Sequence, residues 1–514
     1  MNAGIAPIRL LLVVVIIAAL AVGGYLLLKP RPPLNVILIS IDTLRPDRMG
    51  VYGHRPMGLS TTPALDALAA RGAVFENAVS TTSWTLPAHY SLLTGVPDRF
   101  HGMVDDRCTP PDDLPMLASL LKEGGYTTGG FVSGLYLGTL FGFGTGFDVY
   151  EPCMDMAKLT ARQKKKAAST KETNTGVGSP TTHLPAHELV TSRDVTNKGF
   201  RFIRENRDKT FFLFLHYFDV HHDYVPPAPF DTRFGPPYDG WVNGRGVTKD
   251  PRYKADMDPK DFDRLMALYD GEIGWVDDNI GRLFKNINDF TPEILENTLI
   301  IVTSDHGDEF FEHGRVGHRK NLYESVVRVP LIVSCPGRID EGVRVEETAR
   351  IYDVVPTILE LTGLETPPAV MGSSLVPLIG ADESETRPAL LELTGGFSPE
   401  SCKKHSALLL GDWKLISIEE RKWSEKNPLD FTGSILSETH ELFNIKNDPG
   451  EQKNLSAQQA EILKKMLSTR QGLFTELDEA IRLFRTSDSQ NQVRRVPDSI
   501  RKGLDDLGYG GGGR

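Results

Sequence analysis

Short runs of apolar residues recur along the chain, and each run is bounded by residues that favour turns. They cover residues 36–41, 211–215, 299–302 and 329–333. Continuous apolar runs of this length are typical of strands that are buried on both faces. Segments with helical spacing lie between the runs, so the pattern predicts a layered fold in which strands and helices alternate.

Two of the intervening helices are well marked. Residues 62–71 form one, with Thr62 as its N-cap, Pro63 at its first position and Gly72 just after its end. A second is expected over residues 262–287, where apolar residues repeat at helical spacing. Together these elements predict a three-layer α/β/α sandwich with a large, mostly parallel central sheet, and sites in such folds collect at the carboxyl ends of the strands.

The pattern divides the chain into four segments. Residues 10–28 are uncharged and almost wholly apolar, and a helix of this length is about 28 Å long, close to the thickness of a bilayer core. We therefore interpret residues 1–34 as a membrane anchor, with a cleaved signal peptide as the alternative. Residues 35–380 form a large α/β domain, residues 381–485 a small α+β subdomain, and residues 486–514 a mobile polar tail.

Two internal stretches interrupt the large domain. Residues 156–183 are polar and lack apolar periodicity, which is typical of a solvated surface excursion. Residues 224–261 are rich in proline and glycine and directly follow a turn rich in histidine. We expect this second stretch to be an irregular insertion placed to roof a site.

Charge and cysteine content exclude some classes of protein. The 514-residue chain has a formal net charge of −11, which argues against nucleic acid as a partner because phosphate binding requires a concentrated basic surface. The cysteines are too few and too scattered for a disulfide scaffold or a CxxC zinc site. They are Cys108, Cys153, Cys335 and Cys402. A bridge between Cys108 and Cys153 is allowed if the domain is exported, but the sequence does not establish it.

Candidate chemistry lies at the ends of two apolar runs. Asp42 follows the first run, and Asp305 and His306 follow a later one. Thr85 offers a hydroxyl, which needs an adjacent base or a metal to become a nucleophile at neutral pH. The four side chains together suit Zn²⁺, Mn²⁺ or Mg²⁺. The plainer alternatives are that Asp42 caps a turn and that Thr85 caps a helix, whose N-terminus would still favour an anion.

Several longer motifs surround these residues. They include NVILISIDTLRPDRMGVYG, SWTLPAHYSLLTG, FFLFLHYFDVHHDYVPP, VTSDHGDEFFEHG, GHRKNLYESVVRVPLIV and ELFNIKNDPGEQKNL. On these motifs the chain resembles sulfatase-like enzymes of the alkaline phosphatase superfamily over most of residues 35–454, with threonine at the nucleophile position. The resemblance implies an alkaline-phosphatase-like fold and makes residues 35–380 the catalytic domain.

The resemblance also implies roles for individual residues. It makes Asp42, Thr85, Asp305 and His306 the metal ligands, and Thr85 the nucleophile. It places His221 opposite the transferred group or leaving oxygen, and His318 near a second cationic position that Arg319 fits about as well. The expected catalytic residues are therefore Thr85, His221 and His318, and the expected substrate-binding residues are His89 and Arg319.

The chain departs from the family pattern at three of these motif positions. Formylglycine is not expected, because sulfatases make it from Cys or Ser and this chain has Thr85 there, with His89 in place of the pattern's arginine. Thr43 stands where calcium-dependent members usually carry an acid. The missing carboxylate makes Zn²⁺, Mn²⁺ or Mg²⁺ more favoured than Ca²⁺, which prefers many oxygen ligands.

The leading functional hypothesis is a membrane-anchored, metal-dependent hydrolase or transferase that acts on phosphate mono- or diesters through a covalent Thr85 intermediate. The alternatives are a sulfuric ester hydrolase that uses Thr85 without formylglycine, and a catalytically silent, membrane-tethered binding protein. The expected partner is an anionic ester linked to a lipid or a glycan. We expect a periplasmic or extracellular catalytic domain, secreted if the N-terminal segment is cleaved; the oligomeric state stays open.

Overall fold

The computed structural model describes residues 33–106, 108, 110–111, 113–153, 191–380, 386–395, 401–422 and 433–484. The predicted membrane anchor, apart from its last two residues, lies outside this part of the chain, as do the predicted surface excursion and the predicted mobile tail. Every helix within the described ranges is too short or too polar to cross a bilayer.

An eight-stranded sheet forms the centre of the molecule. Its strands are β1 (Asn35–Ile41), β2 (Ala73–Val79), β3 (Thr127–Val132), β4 (Val149–Pro152), β5 (Phe211–Tyr217), β6 (Thr298–Thr303), β9 (Arg328–Ser334) and β10 (Val343–Arg350). They are ordered β10-β2-β9-β6-β1-β5-β3-β4. All neighbours run parallel except that β9 is antiparallel to both β2 and β6, so the sheet is mixed. The four strands predicted from apolar runs are β1, β5, β6 and β9.

Helices cover both faces of this sheet. They are α1 (Pro63–Ala69), α2 (Thr85–Thr94), α3 (Asp98–His101), α4 (Leu117–Glu123), α5 (Ser192–Glu205), α6 (Phe230–Arg233), α7 (Pro259–Phe290), α8 (Pro292–Glu296), α9 (Glu324–Val327) and α10 (Val354–Thr362). Alternate residues of β1 enter two separate cores. Val36 and Leu38 pack with the side that carries α2, α4 and α10, whereas Ile37 and Ile39 pack with the side that carries α1, α5 and α7. The sheet is therefore the middle layer between two layers of helices.

The start of α1 differs from its prediction. The helix begins at Pro63, but the Thr62 side chain does not cap it; the Thr62 hydroxyl instead donates to Asp66 Oδ1 at 3.0 Å. The carboxylate of Asp277, on the neighbouring helix α7, accepts hydrogen bonds from the Ala64 and Leu65 amides at 2.9 Å each. Thr62 therefore occupies the predicted N-cap position, but a residue distant in sequence provides the acceptor for the first helix amides.

A second, antiparallel sheet follows the main one. Its strands are β11 (Ala389–Gly395), β12 (Ser401–Leu410), β13 (Trp413–Lys422) and β14 (Ile435–Asn444), and helix α11 (Ala460–Phe484) packs against it. One face contributes Leu391 and Leu409 to the core on the α2 side of the main sheet. The other face packs Leu408 and Leu415 against Met466 of α11. The second sheet thus shares a core with the main sheet.

A buried ion group also links the second sheet to the first. Lys414 on β13 is fully buried, and its Nζ lies 2.8 Å from a Glu324 carboxylate oxygen and 2.9 Å from one of Glu451. Glu324 begins helix α9, which leads directly into β9. The ammonium group therefore joins the two sheets close to a loop that carries candidate site residues.

All four cysteines are buried, and no disulfide bond joins any of them. The bridge that the sequence allowed between Cys108 and Cys153 is absent from the structure.

Candidate active site

Three neighbouring strands deliver the main candidate side chains to one edge of the sheet. Strand β1 lies between β5 and β6 and is parallel to both, so their carboxyl ends meet. Asp42 directly follows β1, and Asp305 and His306 follow β6. One oxygen of each carboxylate and one nitrogen of His306 all lie within 4.8 Å of one another, and all three residues are buried.

The Thr85 hydroxyl reaches the same place from another element. Thr85 is the first residue of α2, and its Oγ1 lies 3.3 Å from His306 Nε2. Thr85 is only 6% exposed, so it is largely buried. Its place at the N-terminus of α2 favours a bound anion nearby.

The backbone after Asp42 adopts an unusual conformation. Thr43 has φ of 55°, in the left-handed region where a β-branched residue is strained by about 1–3 kcal/mol. Its amide donates to Asp305 Oδ1 at 3.2 Å, and its carbonyl accepts from the Tyr269 hydroxyl at 2.6 Å. These two hydrogen bonds hold the turn that aims Asp42 towards Asp305.

The electrostatics of the two carboxylates call for a cation. Burial raises the pKa of Asp42 well above its usual value, and the nearby carboxylates of Asp305 and Asp308 raise it further. Both oxygens of Asp42 and Oδ2 of Asp305 lack a hydrogen-bond partner among the described residues. Buried carboxylate oxygens without partners are costly unless a cation balances them. The donor set therefore fits a divalent metal.

The hydrogen bonds of His306 fix the state of its ring. Its Nδ1 lies 2.9 Å from the Gly307 carbonyl oxygen. Because a carbonyl only accepts, Nδ1 carries a proton, and it is Nε2 that can present a lone pair to a metal. Nε2 lies 3.3 Å from both Thr85 Oγ1 and Asp305 Oδ2. A lone pair facing two oxygen donors is the arrangement that a histidine metal ligand requires.

His89 lies below the nucleophile position. Its side chain is fully buried, its Nδ1 donates to the Thr85 carbonyl at 2.9 Å, and its Nε2 accepts from the Ser40 hydroxyl at 2.9 Å. Nδ1 is also 3.5 Å from Asp305 Oδ2. The residue therefore supports Thr85 and Asp305 from beneath, and its predicted contact with substrate stays a prediction.

His221 and His318 lie together, with His222 as a third member of the group. One ring nitrogen of each of the three lies within 4.8 Å of one nitrogen of the others. Burial lowers the pKa of His318 to about 4 and that of His221 well below its usual value. The His318 ring centroid is 4.4 Å from that of His306. Burial therefore favours the uncharged forms of His221 and His318, and the group borders the Asp42 site.

Arg319 lies on the other side of Thr85. Its guanidinium carbon is 3.9 Å from the centroid of the buried Trp84 ring, and its amide donates to the Ser83 carbonyl at 2.9 Å. Arg319 therefore touches the residues that immediately precede Thr85. Its predicted contact with substrate stays a prediction.

Two residues near the site were not assigned from the sequence. Asp308 accepts from His318 Nδ1 at 2.6 Å and from the Tyr224 hydroxyl at 2.5 Å, and His216 Nε2 lies 3.4 Å from Asp42 Oδ2. Both could have been found from the sequence by their position near a strand end. Asp308 lies three residues after Asp305, and His216 is the penultimate residue of β5, whose end borders that of β1.

The fold is similar to that of solved hydrolase structures. The solved structure of a phosphonate monoester hydrolase from Agrobacterium radiobacter superposes with a TM-score of 0.65 at 20% identity, over 87% of this chain and 96% of that one. The sulfatase family matches residues 34–364, and a family described as N-sulphoglucosamine sulphohydrolase, C-terminal, matches residues 311–473. The chain belongs to the sulfatase family.

Curated relatives agree with this assignment. The uncharacterized sulfatase YidJ of Escherichia coli K12 is 24% identical over 82% of this chain and 82% of its own length. An arylsulfatase of Clostridium perfringens is 26% identical over 79% of this chain and 91% of its own. The protein is thus a sulfatase-family hydrolase, and the resemblance predicted from the motifs is confirmed.

Proposed function

We propose that this protein is a metal-dependent hydrolase or transferase of phosphate mono- or diesters, with Thr85 as its nucleophile. One observation carries the proposal. The Thr85 hydroxyl lies 3.3 Å from His306 Nε2, beside two buried carboxylates that need a cation, at the start of helix α2. Asp42, Asp305, His306 and Thr85 would hold a divalent metal, of which Zn²⁺, Mn²⁺ and Mg²⁺ suit this mixed oxygen and nitrogen set.

The chemistry proposed for Thr85 has two steps. In the first, Thr85 Oγ1 releases its proton to solvent and forms a bond to phosphorus, while the bond from phosphorus to the leaving oxygen breaks and that oxygen takes up a proton from solvent. In the second, water or an acceptor alcohol releases a proton to solvent as its oxygen bonds to phosphorus, and Thr85 Oγ1 departs and regains a proton. A bound divalent cation supplies positive charge that favours the ionised hydroxyl of Thr85 and the developing charge on the phosphoryl oxygens.

The chain's own residues support both steps. Arg319 attracts and orients the anionic group beside Thr85, and the amides at the start of α2 face the same group. His221 and His318 are proposed on the leaving-oxygen side. Hydrogen bonds from Nδ1 of His221 to the His222 carbonyl at 2.8 Å and of His318 to Asp308 at 2.6 Å keep their protons on Nδ1. With Nδ1 engaged in these hydrogen bonds, each ring would act on the leaving oxygen only when Nε2 carries a second proton.

The identity of the nucleophile favours phosphorus over sulfur. A formylglycine hydrate releases sulfate by collapsing to its aldehyde, whereas an ester of threonine has no such route and must be cleaved at its central atom. Attack at phosphorus is the easier of the two displacements. The likeness in fold to a phosphonate monoester hydrolase is consistent with this preference.

Trapping the covalent intermediate tests the proposal. The enzyme is quenched in acid during turnover of p-nitrophenyl phosphate and of bis(p-nitrophenyl) phosphate, and the peptide that contains Thr85 is weighed. We expect a phosphorylated peptide in the wild type, none in Thr85→Ala, and a phosphorylated serine in Thr85→Ser. An active enzyme that never modifies this peptide, with Thr85→Ala retaining full activity, would refute the proposal.

Sulfate ester hydrolysis is the second candidate. The sulfatase relatives and the match to an N-sulphoglucosamine sulphohydrolase C-terminal region favour it. Rates on p-nitrophenyl sulfate and on the phosphate esters, measured side by side with the same preparation, separate the two candidates. A higher kcat/KM on the sulfate ester would make sulfate ester hydrolysis the preferred function. A protein that retains no divalent metal and turns over neither ester would instead support the silent binding protein.

We also propose a location and a substrate class. Residues 1–34 would anchor the catalytic domain on the exported face of a membrane, close to lipid- or glycan-linked esters. Fractionation of cells that express the full chain, followed by protease treatment of intact spheroplasts, tests this. Protein in the soluble exported fraction would indicate that the segment is cleaved, whereas protein protected from protease inside the cell would contradict export.

A further inference from the structure

A patch of basic side chains lies where the second sheet meets the segment that carries Arg319. Gly395 ends strand β11 and pairs with Lys403 on β12. A Cβ added to Gly395 would lie 3.8 Å from the Arg319 carbonyl oxygen. Because directly paired residues of two strands extend to the same side of a sheet, the Lys403 side chain extends to the side where Arg319 lies. His405, two residues further along β12, extends to that side as well.

Arg315 joins this patch from the main domain. Its Nη1 donates to the Lys320 carbonyl at 2.8 Å, and Lys320 directly follows Arg319 in the chain. Burial, and then the positive charges of Arg315 and Lys403, lower the pKa of His405 to about 4. Two segments that are distant in sequence therefore bring three basic side chains together.

The two cations of this patch are not neutralised within the described part of the chain. Neither Arg315 nor Lys403 forms an ion pair with a described carboxylate. Glu420 lies opposite Lys403 on β13. Its carboxylate instead accepts from the Ser401 hydroxyl at 2.8 Å and from the Ser437 hydroxyl at 3.5 Å. The patch therefore keeps a local positive charge in a chain whose net charge is −11.

His405 is the buried member of the patch. The residue is only 6% exposed, and its Nδ1 has no hydrogen-bond partner among the described residues. A buried polar atom without a partner is costly, so such an atom calls for a ligand. A ligand that accepts from an imidazole N–H and also balances two cations must be negatively charged and must carry several acceptor oxygens.

We propose that Arg315, Lys403 and His405 bind a phosphate or sulfate group where the two sheets meet, outside the Asp42 site. A guanidinium group donates two parallel N–H bonds to such an oxyanion, and an ammonium group adds a compact positive charge. The neutral ring of His405 can carry its proton on Nδ1 and donate it to another oxygen. Three separate donor groups suit a tetrahedral oxyanion better than a carboxylate, which has only two oxygens.

Two sources supply such an oxyanion, which are a second acidic group on the substrate and a free ion. Arg319 connects the patch to the candidate active site, because its guanidinium lies on the Trp84 ring and its carbonyl faces Gly395. A substrate with two phosphate or sulfate groups would place one beside Thr85 and the other on the patch. This role rests on the proposed function, whereas the binding of a free oxyanion does not.

A spectrum of the histidine side chains tests the binding site directly. The full chain is labelled with carbon-13 at Cε1 of every histidine, and the His405 signal is assigned by its loss in His405→Gln. Inorganic phosphate should shift this signal saturably near neutral pH, because a bound oxyanion changes the surroundings of the ring. Sodium chloride at the same ionic strength should not, since it only screens charge.

Two variants and a matched control test the assigned residues. Arg315→Gln and Lys403→Gln should each weaken phosphate binding about tenfold or more, because each loses a charge-assisted contact. Lys404→Gln is the control and should bind phosphate as the wild type does. Lys404 is the next residue on the same strand, but it extends to the opposite side of the sheet, 3.2 Å from Glu392. Circular dichroism checks the folding of each variant, and two separate removals keep the test decisive if one variant does not fold.

Kinetics on two substrates identify the source of the oxyanion. The informative quantity is kcat/KM for glucose 1,6-bisphosphate divided by kcat/KM for p-nitrophenyl phosphate. If the oxyanion is a second group of the substrate, this ratio should fall about tenfold in Lys403→Gln and stay at its wild-type value in Lys404→Gln. An unchanged ratio in Lys403→Gln, together with a saturable phosphate shift, assigns the patch to a free ion.

The outcomes separate this proposal from the proposed function. A His405 signal that phosphate moves no more than chloride does would overturn the oxyanion site. So would a phosphate affinity that is equal in the wild type, Arg315→Gln and Lys403→Gln. Saturable phosphate binding at His405 in a protein that forms no Thr85 ester would leave the oxyanion site standing and refute the proposed nucleophile. A Thr85 ester in a protein whose His405 signal ignores phosphate would do the reverse.

Discussion

The buried ammonium group of Lys414 gives the sharpest test of how the two sheets are held together. Replacing it in Lys414→Met removes a cation whose Nζ lies 2.8 Å from Glu324 and 2.9 Å from Glu451. The Glu324 and Glu451 side chains are only 12% and 1% exposed, so water does not replace the lost partner. Removing one member of a buried ion group costs about 3–5 kcal/mol.

The loss of folding stability in Lys414→Met should increase as the pH rises. Burial raises the pKa of Glu451 to about 7 even in the presence of Lys414, and removing the cation raises it further. An acid whose folded pKa lies above its unfolded pKa destabilises the fold progressively as pH rises through that interval, because the unfolded chain releases the proton more readily. Lys414→Met should therefore lose most stability near about pH 8 and much less near about pH 5.

Urea titration followed by tryptophan fluorescence at both pH values measures the free energy of unfolding. Lys446→Met is the matched control, because Lys446 is 72% exposed and 3.9 Å from Asp412; it should change stability by less than about 0.5 kcal/mol. The triple variant Lys414→Met, Glu324→Gln, Glu451→Gln should recover much of the loss. A Lys414→Met protein as stable as the wild type at both pH values would refute the reasoning.

Three further predictions concern single residues. Asp277→Ala should lower the free energy of unfolding, measured by thermal melting, by about 1–2 kcal/mol, because α1 loses the acceptor for two amides. Asp278→Ala, at the exposed neighbouring position, should leave the free energy of unfolding unchanged. Gly72→Ala should destabilise the fold by about 1–3 kcal/mol, because its Cβ would lie 2.3 Å from the Val333 carbonyl oxygen; an equally stable variant would show that this contact relaxes freely. Arg319→Ala should raise KM for a phosphate ester about tenfold or more, with a smaller change in kcat. An unchanged KM in steady-state kinetics would show that Arg319 does not contact the substrate.

The sequence predicted the strands and the strand ends well for a physical reason. Strands β1 and β6 are buried on both faces, so each is a nearly continuous apolar run, and the acidic residue that follows it is conspicuous. Asp42, Asp305 and His306 were selected by that rule, and the structure places them together. The roles of these residues are still predictions, since proximity shows a shared site and not a reaction.

The features that the sequence did not reveal depend on contacts between distant segments. The apolar run of β9 does not encode its direction, because a strand buried on both faces has the same composition whether its neighbours are parallel or antiparallel. The capping of α1 by Asp277 joins residues more than 200 positions apart, and Lys414 has nothing in its local sequence to mark it as buried. The pairing of His318 with Asp308 depends on the ribbon of β7 (Glu309–Phe310) and β8 (Val316–Gly317), which is too short to produce a periodic pattern.

The division of β1 between two cores makes enzymatic activity a reporter of correct folding. Successive residues of β1 point to opposite sides, so sliding the strand by one position would turn each side chain towards the wrong core and move Asp42 away from Asp305. A population of misaligned chains could keep its secondary structure and still be inert. Specific activity per folded molecule therefore measures register, a quantity that circular dichroism does not detect.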